Sequence, residues 1–177
     1  MKINGYQIRE VIKRWIIQRD TYANQFRDNL YAFEGEDKQS PVEVMKEFDR
    51  ADRTVARLEE IQQLYNRIVK CDVQGETVSL TLCVKLVGGA GRRAKMWRDA
   101  GPGKPERYSS YRDERRERSK DTDYAARQIS VQDAVDYSTE AAKYASALRN
   151  AIAKGNSEQV LCESLNLNEK EYQDIFE

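Results

Sequence analysis

The chain has 177 residues, of which 40% are apolar and 34% charged, with only three prolines and nine glycines. This length supports one domain with a sizeable core, and the composition is typical of a charge-rich helical protein rather than a β-sandwich or a barrel. The 30 Lys and Arg balance the 30 Asp and Glu, and histidine is absent. Histidine is the commonest general base and metal ligand, so its absence argues against an enzyme and a metal site, although carboxylates, tyrosines and thiols could still do chemistry. We expect neither an enzyme nor a cofactor.

The cysteines and the hydropathy pattern bear on the compartment. The three cysteines are an odd number without CxxC spacing, so the sequence supports neither a disulfide framework nor a cysteine-rich metal site. No apolar run reaches the ~18 residues of a membrane span. The opening MKINGYQIREVIKRW carries charges where a signal peptide would need apolar residues. The sequence therefore predicts a cytoplasmic protein without a membrane partner.

Two long helices are predicted in the first part of the chain. Apolar residues recur every three or four positions over residues 6–33, which predicts an amphipathic helix with Asn4 as its N-cap. The polar segment EGEDKQ ends this pattern, and SPVE starts the next, with Ser40 as N-cap and Glu43 as its partner in a capping box. A second apolar stripe covers residues 44–68. Two such helices joined by a short polar loop predict an antiparallel hairpin.

The segment VSLTLCVKLVGGAGRRAKMW, residues 78–97, fits two structures. Its first half alternates as a strand does, and GAGRRA then matches the G-x-G-x-x-A dinucleotide fingerprint. That fingerprint needs a βαβ unit, and no apolar run after Trp97 offers the second parallel strand. We favour a third helix, capped by Thr77 and kinked or thinned at the glycines. A local hairpin or strand is the alternative that the sequence leaves open.

A basic segment follows the glycines. Residues 91–120 hold eleven basic side chains and five acidic ones. Within them begins a stretch with two prolines, two glycines and alternating charges, residues 101–129, which we expect to form an exposed loop or a partly disordered arm inside a helical core domain of residues 1–155.

The chain continues with a fourth helix and an acidic tail. SVQD predicts the helix start, with Ser130 as N-cap and Asp133 as its partner, and Gly155 is predicted to be the residue just beyond the helix end. Residues 156–177 hold six acidic side chains and one lysine. They are predicted to form an acidic helical appendage of two short helices, with Asn168 as a cap.

The order of these pieces resembles one known family. An EGE loop, a second helix ending in YNRIV, a QGETV turn, a third helix ending near WRDA, an arginine and serine loop, and ISVQDA before a final helix are similar to the septicolysin-like family over about residues 5–155. The resemblance implies a small all-α, oligomeric, ring-forming bacterial protein of poorly defined function. The family pattern Ile-Asn-x-Thr-Asn is matched here only by Asn66, which Arg67 follows, and apolar residues replace the Thr and the second Asn.

The candidate binding residues combine cations with aromatic rings. Arginine offers a planar donor fork that suits phosphate, and Trp or Tyr offers a face on which a base stacks. The residues concerned, with the two from the family-matched segment, are Arg92, Arg93, Lys95, Trp97, Arg98, Arg107, Tyr108, Tyr111, Arg112, Asn66 and Arg67. The alternative is a solvated charged loop whose aromatic side chains pack on the helix hairpin.

These observations predict an all-α homo-oligomer, a helical bundle that binds rather than catalyses. The sharpest hypothesis is that it sequesters a phosphate-bearing small molecule such as a signalling nucleotide, as a virus-encoded sponge against a nucleotide immune signal would. One alternative is a structural assembly in which basic arm and acidic tail pair between subunits. Another is a nucleic-acid binder, which is less favoured because the charges of residues 112–121 largely balance each other.

Overall fold

The computed structural model describes residues 1–32, 36, 38–100 and 128–176. In chain order its elements are β1 (Lys2–Ile3), α1 (Gly5–Asn29), α2 (Pro41–Ile68), β2 (Lys70–Val73), β3 (Glu76–Ser79), α3 (Leu80–Ala100), α4 (Val131–Ser157), β4 (Val160–Leu161), a 3₁₀ helix (Cys162–Leu165) and α5 (Glu169–Phe176). Helices with only short strands confirm the predicted all-α class. The described part of the chain contains no helix that is long and apolar enough to cross a membrane.

The chain divides into two compact units. The hairpin unit comprises Met1–Cys83 and Asn150–Glu177, and the second unit comprises Val84–Arg149. The acidic C-terminal segment therefore belongs to the same unit as the first two helices. The predicted basic loop at residues 101–129 lies, except for its last two residues, outside the described residues.

Helices α1 and α2 form the predicted antiparallel hairpin. Near one end, a Cβ on Gly5 would lie 2.9 Å from the Tyr65 ring, and further along Arg19 Nη1 lies 3.3 Å from Asp52 Oδ1. Residue numbers thus rise along one helix as they fall along the other. The apolar stripes meet between the helices and bury Ile8, Ile12, Val44, Ala51, Val55, Leu58 and Ile61.

The start of α1 is as predicted, whereas its end and the start of α2 are not. Gln7 N donates to Asn4 Oδ1 (2.9 Å) and Asn4 N to Gln7 Oε1 (3.0 Å), which closes a capping box. The helix ends at Asn29 rather than near residue 33, and the side chains that directly follow it, Leu30 and Tyr31, are exposed. Ser40 makes no side-chain capping bond, so the predicted box with Glu43 is wrong. Pro41 at the first helical position, with φ fixed by its ring, starts α2 instead.

A β-hairpin precedes α3, so the predicted third helix is confirmed from Leu80 onward, whereas Val78 and Ser79 belong to a strand. Strands β2 and β3 pair antiparallel, and Gln74 and Gly75 between them have φ of 53° and 90°, as a two-residue hairpin turn requires. Thr77 does not cap a helix, because its hydroxyl donates to Asp72 Oδ1 across the strands (2.6 Å). The cap is Ser79, whose Oγ accepts from Leu82 N at 3.3 Å.

The tail combines a strand with short helices. Strand β4 pairs antiparallel with β1, and Cys162 N donates to Met1 O (3.1 Å). The first predicted short helix is therefore a strand followed by a 3₁₀ turn. The second is α5, and its predicted cap is confirmed, because Asn168 Oδ1 accepts from Glu171 N at 2.9 Å.

The two predicted ends of α4 have different outcomes. The N-cap is confirmed, because Ser130 Oγ accepts from Asp133 N (3.0 Å) and donates to Asp133 Oδ2 (2.6 Å). Gly155 is not the residue beyond the helix, since α4 continues to Ser157. A Cβ on Gly155 would lie 2.8 Å from Cys71 Sγ. The glycine therefore permits close packing against the β-hairpin instead of ending the helix.

Tyr65 joins α2 to the end of α4. Its fully buried side chain donates the hydroxyl hydrogen to Gly155 O (2.7 Å) and Glu158 O (2.8 Å), which are carbonyls at the helix C-terminus. Burial raises the pKa of the Tyr65 hydroxyl, so the group remains a protonated donor. One side chain thus serves two carbonyls that the helix itself leaves without a full set of partners.

The three cysteines are free and buried. Burial, with the neighbouring Cys83 as the next cause, raises the pKa of the Cys71 thiol from 9.0 to about 11. Cys71 therefore stays neutral over the range in which an exposed thiol ionises.

Candidate functional site

The predicted cations of α3 lie on the surface of the second unit. Arg92, Arg93, Lys95 and Arg98 are all exposed. Arg98 Nε lies 3.8 Å from Asp99 Oδ1, a weak contact in solvent. The other three form no ion pair with any residue that the structure describes. As far as the described residues are concerned, the positive charges of Arg92, Arg93 and Lys95 are not paired and can attract an anion.

Helical geometry divides Arg92, Arg93 and Lys95 between two sides of α3. At 3.6 residues per turn, Arg93 lies one turn before Trp97 and near the same side of α3. Arg92 and Lys95 lie on a different side of the helix, three positions apart. The structure thus groups Arg93 with the aromatic side chain and separates the other two cations from it.

Trp97 has a partner on α4. Its ring centroid lies 5.1 Å from that of Tyr137, with the planes inclined at 34°, and Ser138 Oγ donates to Ala94 O (3.0 Å). Trp97 is partly exposed, and Tyr137 is 47% exposed. Trp97 therefore packs against α4 of its own unit, which neither a binding loop nor packing on the α1–α2 hairpin predicted. The ring pair nevertheless keeps a solvent-facing edge next to Arg93.

The glycines of α3 do not form a phosphate loop. The helix is continuous from Leu80 to Ala100, so the backbone amides of Gly88, Gly89 and Gly91 lie in its interior turns. A dinucleotide or P-loop site instead needs backbone amides that point at the ligand from a helix start. No described atom lies within 4 Å of a Cβ placed on Gly89 or Gly91, so neither glycine is required for packing there.

The remaining predicted site residues are elsewhere. Arg107, Tyr108, Tyr111 and Arg112 lie outside the described residues. Asn66 and Arg67 belong to the last turns of α2, in the hairpin unit. Arg67 is exposed, and the Oδ1 atom of Asn66 is buried without a hydrogen-bond partner among the described residues.

A second cationic surface, which the sequence analysis did not single out, lies along α2. Lys46, Arg50, Arg53 and Arg57, here called the cationic stripe, occur at i, i+4, i+7 and i+11 and so share one side of the helix. They line a cleft of about 440 Å³ together with Asp49, Thr54 and Ile175. The spacing of the cations is visible in the sequence. The sequence pattern does not indicate, however, whether another element packs beside this side of the helix and forms a cleft with it.

The last cation of the stripe is already occupied. Arg57 Nε donates to Glu171 Oε1 of α5 at 2.6 Å, and Arg57 Nη2 donates to Asn166 O at 2.7 Å. Its Nη1 also lies 3.2 Å from Glu60 Oε2. The hydrogen bond to Glu171 is the main cause that raises the pKa of Arg57. This contact fixes α5 against α2.

An apolar cleft adjoins the cationic one. It has a volume of about 350 Å³, and its apolar walls are Phe26, Leu30, Pro41, Val42 and Met45. Lys46 and Asp49 line both clefts. The two are therefore neighbouring parts of a single groove on the hairpin unit, here called the α2 groove.

The described residues offer no group of three or more Cys, Asp and Glu side chains placed to hold a metal ion. Comparisons with protein-family models, with curated proteins and with solved structures found no match to this chain.

Proposed function

We propose that the protein is a non-enzymatic, homo-oligomeric binding protein that sequesters a phosphate-bearing small molecule such as a signalling nucleotide. The observation that supports this most is the combination of Arg93, which has no described acidic partner, with the partly exposed Trp97 and Tyr137 rings. A phosphate needs the donor fork of arginine, and a base needs a ring surface.

Each group has a separate part in this proposal. Arg93 donates to phosphate oxygens, Arg92 and Lys95 add positive charge from another side of α3, and the exposed edge of the Trp97 and Tyr137 pair contacts the base. Arg107, Tyr108, Tyr111 and Arg112, which the sequence predicts for the same ligand, lie outside the described residues. The oligomer, for which the resemblance to the septicolysin-like family is the reason, brings several such surfaces together.

Native mass spectrometry of gently purified protein, before and after denaturation, tests this proposal. We expect an oligomer with a stoichiometric extra mass of roughly 300–1,000 Da, the scale of ligands that fit ordinary pockets. A panel of nucleotides is then titrated calorimetrically against wild type and an Arg92→Glu, Arg93→Glu variant. The variant should bind at least about tenfold more weakly, because charge-assisted bonds to phosphate are lost and repulsion is added.

A charge-matched control separates the site from a general effect of charge. Lys143 and Lys154 are exposed on α4, and a Lys143→Glu, Lys154→Glu variant has the same change in net charge. It should bind the ligand as wild type does. Protein that carries no extra mass and depletes no nucleotide at micromolar concentration would refute the proposal. An oligomer that also dissociates in about 0.5 M salt, where exposed charges are strongly screened, would favour the structural assembly instead.

A further inference from the structure

The α2 groove is long and open. From Pro41 to Arg57 it follows α2 for about 24 Å at 1.5 Å per residue, which is the length of a four-turn helix. One end is apolar, and the other has four cations, with Asp49 as the single carboxylate among its described lining residues. A single small anion would fill only part of such a surface, whereas grooves of this shape receive amphipathic helices in many complexes.

The chain's own α5 shows how a helix sits at the far end of this groove. Its Glu171 binds Arg57, and its Ile175 is buried and forms part of the cleft wall. The carbonyl of Ile175 accepts hydrogen bonds from Arg14 Nη2 (2.8 Å) and Trp15 Nε1 (3.1 Å) on α1. Thus Glu171, which contacts the cationic stripe, and the apolar Ile175 four positions later hold the acidic amphipathic helix α5 to the hairpin.

Beyond the end of α5, the α2 groove continues with cations and apolar side chains that no described element covers. Lys46, Arg50 and Arg53 form no ion pair with a described residue. Leu30 is 49% exposed and Val42 is 66% exposed at the apolar end. Charges of one sign beside exposed apolar side chains call for a partner that has both properties in complementary form.

We propose that the α2 groove binds an acidic amphipathic helix of another protein. Its carboxylates contact Lys46, Arg50 and Arg53, and its apolar side chains enter the cleft walled by Leu30 and Met45. The same groove of a second copy is a poorer occupant, because pairing groove to groove about a two-fold axis would place one cationic stripe against the other. The proposal concerns the hairpin unit and does not depend on the ligand site proposed on α3.

The test uses a defined probe on the full-length protein. A fluorescein-labelled acidic peptide of about 15 residues, with leucines on one helical face and glutamates on its flanks, is titrated by anisotropy. An Arg50→Glu, Arg53→Glu variant should bind it at least about tenfold more weakly, because attraction becomes repulsion. A Leu30→Ser, Met45→Ser variant should also weaken binding, because the apolar end no longer provides an anchor.

Matched controls keep the result specific. The Lys143→Glu, Lys154→Glu variant has the same change in net charge at residues that do not line the groove, and it should bind within about twofold of wild type. The Arg92→Glu, Arg93→Glu variant should do likewise, which separates this groove from the α3 site. Far-UV circular dichroism verifies that each variant is folded, and Arg50→Gln, Arg53→Gln replaces the glutamate pair if that pair does not fold.

Three results would overturn the proposal. The peptide does not bind at concentrations up to about 0.5 mM, far above ordinary recognition affinities. A version with the leucines replaced by serines binds equally well, which would mean charge attraction alone. Inorganic phosphate displaces the peptide more effectively than chloride at equal ionic strength, which would make the groove a site for a small anion.

Discussion

Replacing Tyr65 by phenylalanine removes one hydroxyl from the centre of the hairpin unit and leaves the ring in place. In the folded protein that hydroxyl donates to Gly155 O at 2.7 Å and Glu158 O at 2.8 Å. In the unfolded chain the hydroxyl and both carbonyls form hydrogen bonds with water, so the substitution raises the free energy of the folded state only. The Gly155 carbonyl keeps one bond, from the backbone amide of Glu158 at 3.3 Å, and that limits the loss.

The expected cost of Tyr65→Phe is about 2 kcal/mol, which lies within the ~1–3 kcal/mol range for leaving a buried partner unsatisfied. For a chain of this length, that corresponds to a decrease in Tm of about 4–8 °C. Urea unfolding followed by far-UV circular dichroism measures the free energy of unfolding directly. The midpoint should fall while the slope against urea stays the same, because the surface exposed on unfolding is unchanged.

Tyr6→Phe is the matched control for this substitution. Tyr6 also donates its hydroxyl to a carbonyl of α4, Ala153 O, but at 3.3 Å and from a side chain that is 46% exposed. Water replaces this bond at little cost, so the change should stay within about 0.5 kcal/mol. If Tyr65→Phe is as small as Tyr6→Phe, the hydroxyl does not connect α2 with α4 as described.

Two further predictions concern packing and ionisation in the hairpin unit. Gly5→Ala places a Cβ 2.6 Å from Asn156 Oδ1 and 2.9 Å from the Tyr65 ring, so overpacking should lower the free energy of unfolding by about 1–3 kcal/mol. Gly91→Ala has open space at that position and should stabilise α3 by up to ~1 kcal/mol. Thermal melts compare the two variants, and equal effects would contradict the close approach at Gly5. Because the pKa of Cys71 is raised to about 11 in the folded state from 9.0, its contribution to stability is fully present below pH 9 and is lost as pH rises towards 11; urea unfolding across that window should show a smaller loss for Cys71→Ala than for wild type, and an equal loss would argue against a buried neutral thiol.

The long helices were predictable because their signals are local. Apolar residues at spacings of three and four give a helix its buried side wherever its partner lies, and α1 and α2 each carry this pattern over more than five turns. Asn4 and Ser130 are caps whose partners lie three residues away, within reach of local reasoning. Ser40 has the same local pattern and fails, since Pro41 starts the helix without that side chain's help.

Errors occurred where distant residues decide the local structure. Val78 and Ser79 continue into an apolar stretch that fits a strand or a helix, and their pairing with Cys71 and Lys70 makes them strand. Glycine is typical of the residue just beyond a helix end, which is why Gly155 was predicted there. Instead, the space where a Cβ would lie is occupied by Cys71 Sγ, 84 positions earlier in the chain. Neither contact is visible in a window of neighbouring residues.

The candidate sites divide in the same way. The sequence was sufficient to find the cations of α3, but their grouping needs the phase of the helix, which brings Arg93 to Trp97 and places Arg92 on another side. The cationic stripe of α2 is periodic in the sequence. It becomes a cleft only because α5, more than a hundred residues later, places Ile175 beside it.

The division of the hairpin unit between Met1–Cys83 and Asn150–Glu177 has a consequence for the order of folding during synthesis. When residues 1–83 leave the ribosome, strand β1 has no partner and Tyr65 has no acceptors, because both lie beyond the intervening segment Val84–Arg149. At ~5–20 residues per second, ribosomes need roughly 3–13 s to make that segment. During this interval the nascent hairpin has an unpaired strand and lacks the packing of residues 150–176, and transiently exposed surface of this kind is prone to aggregate.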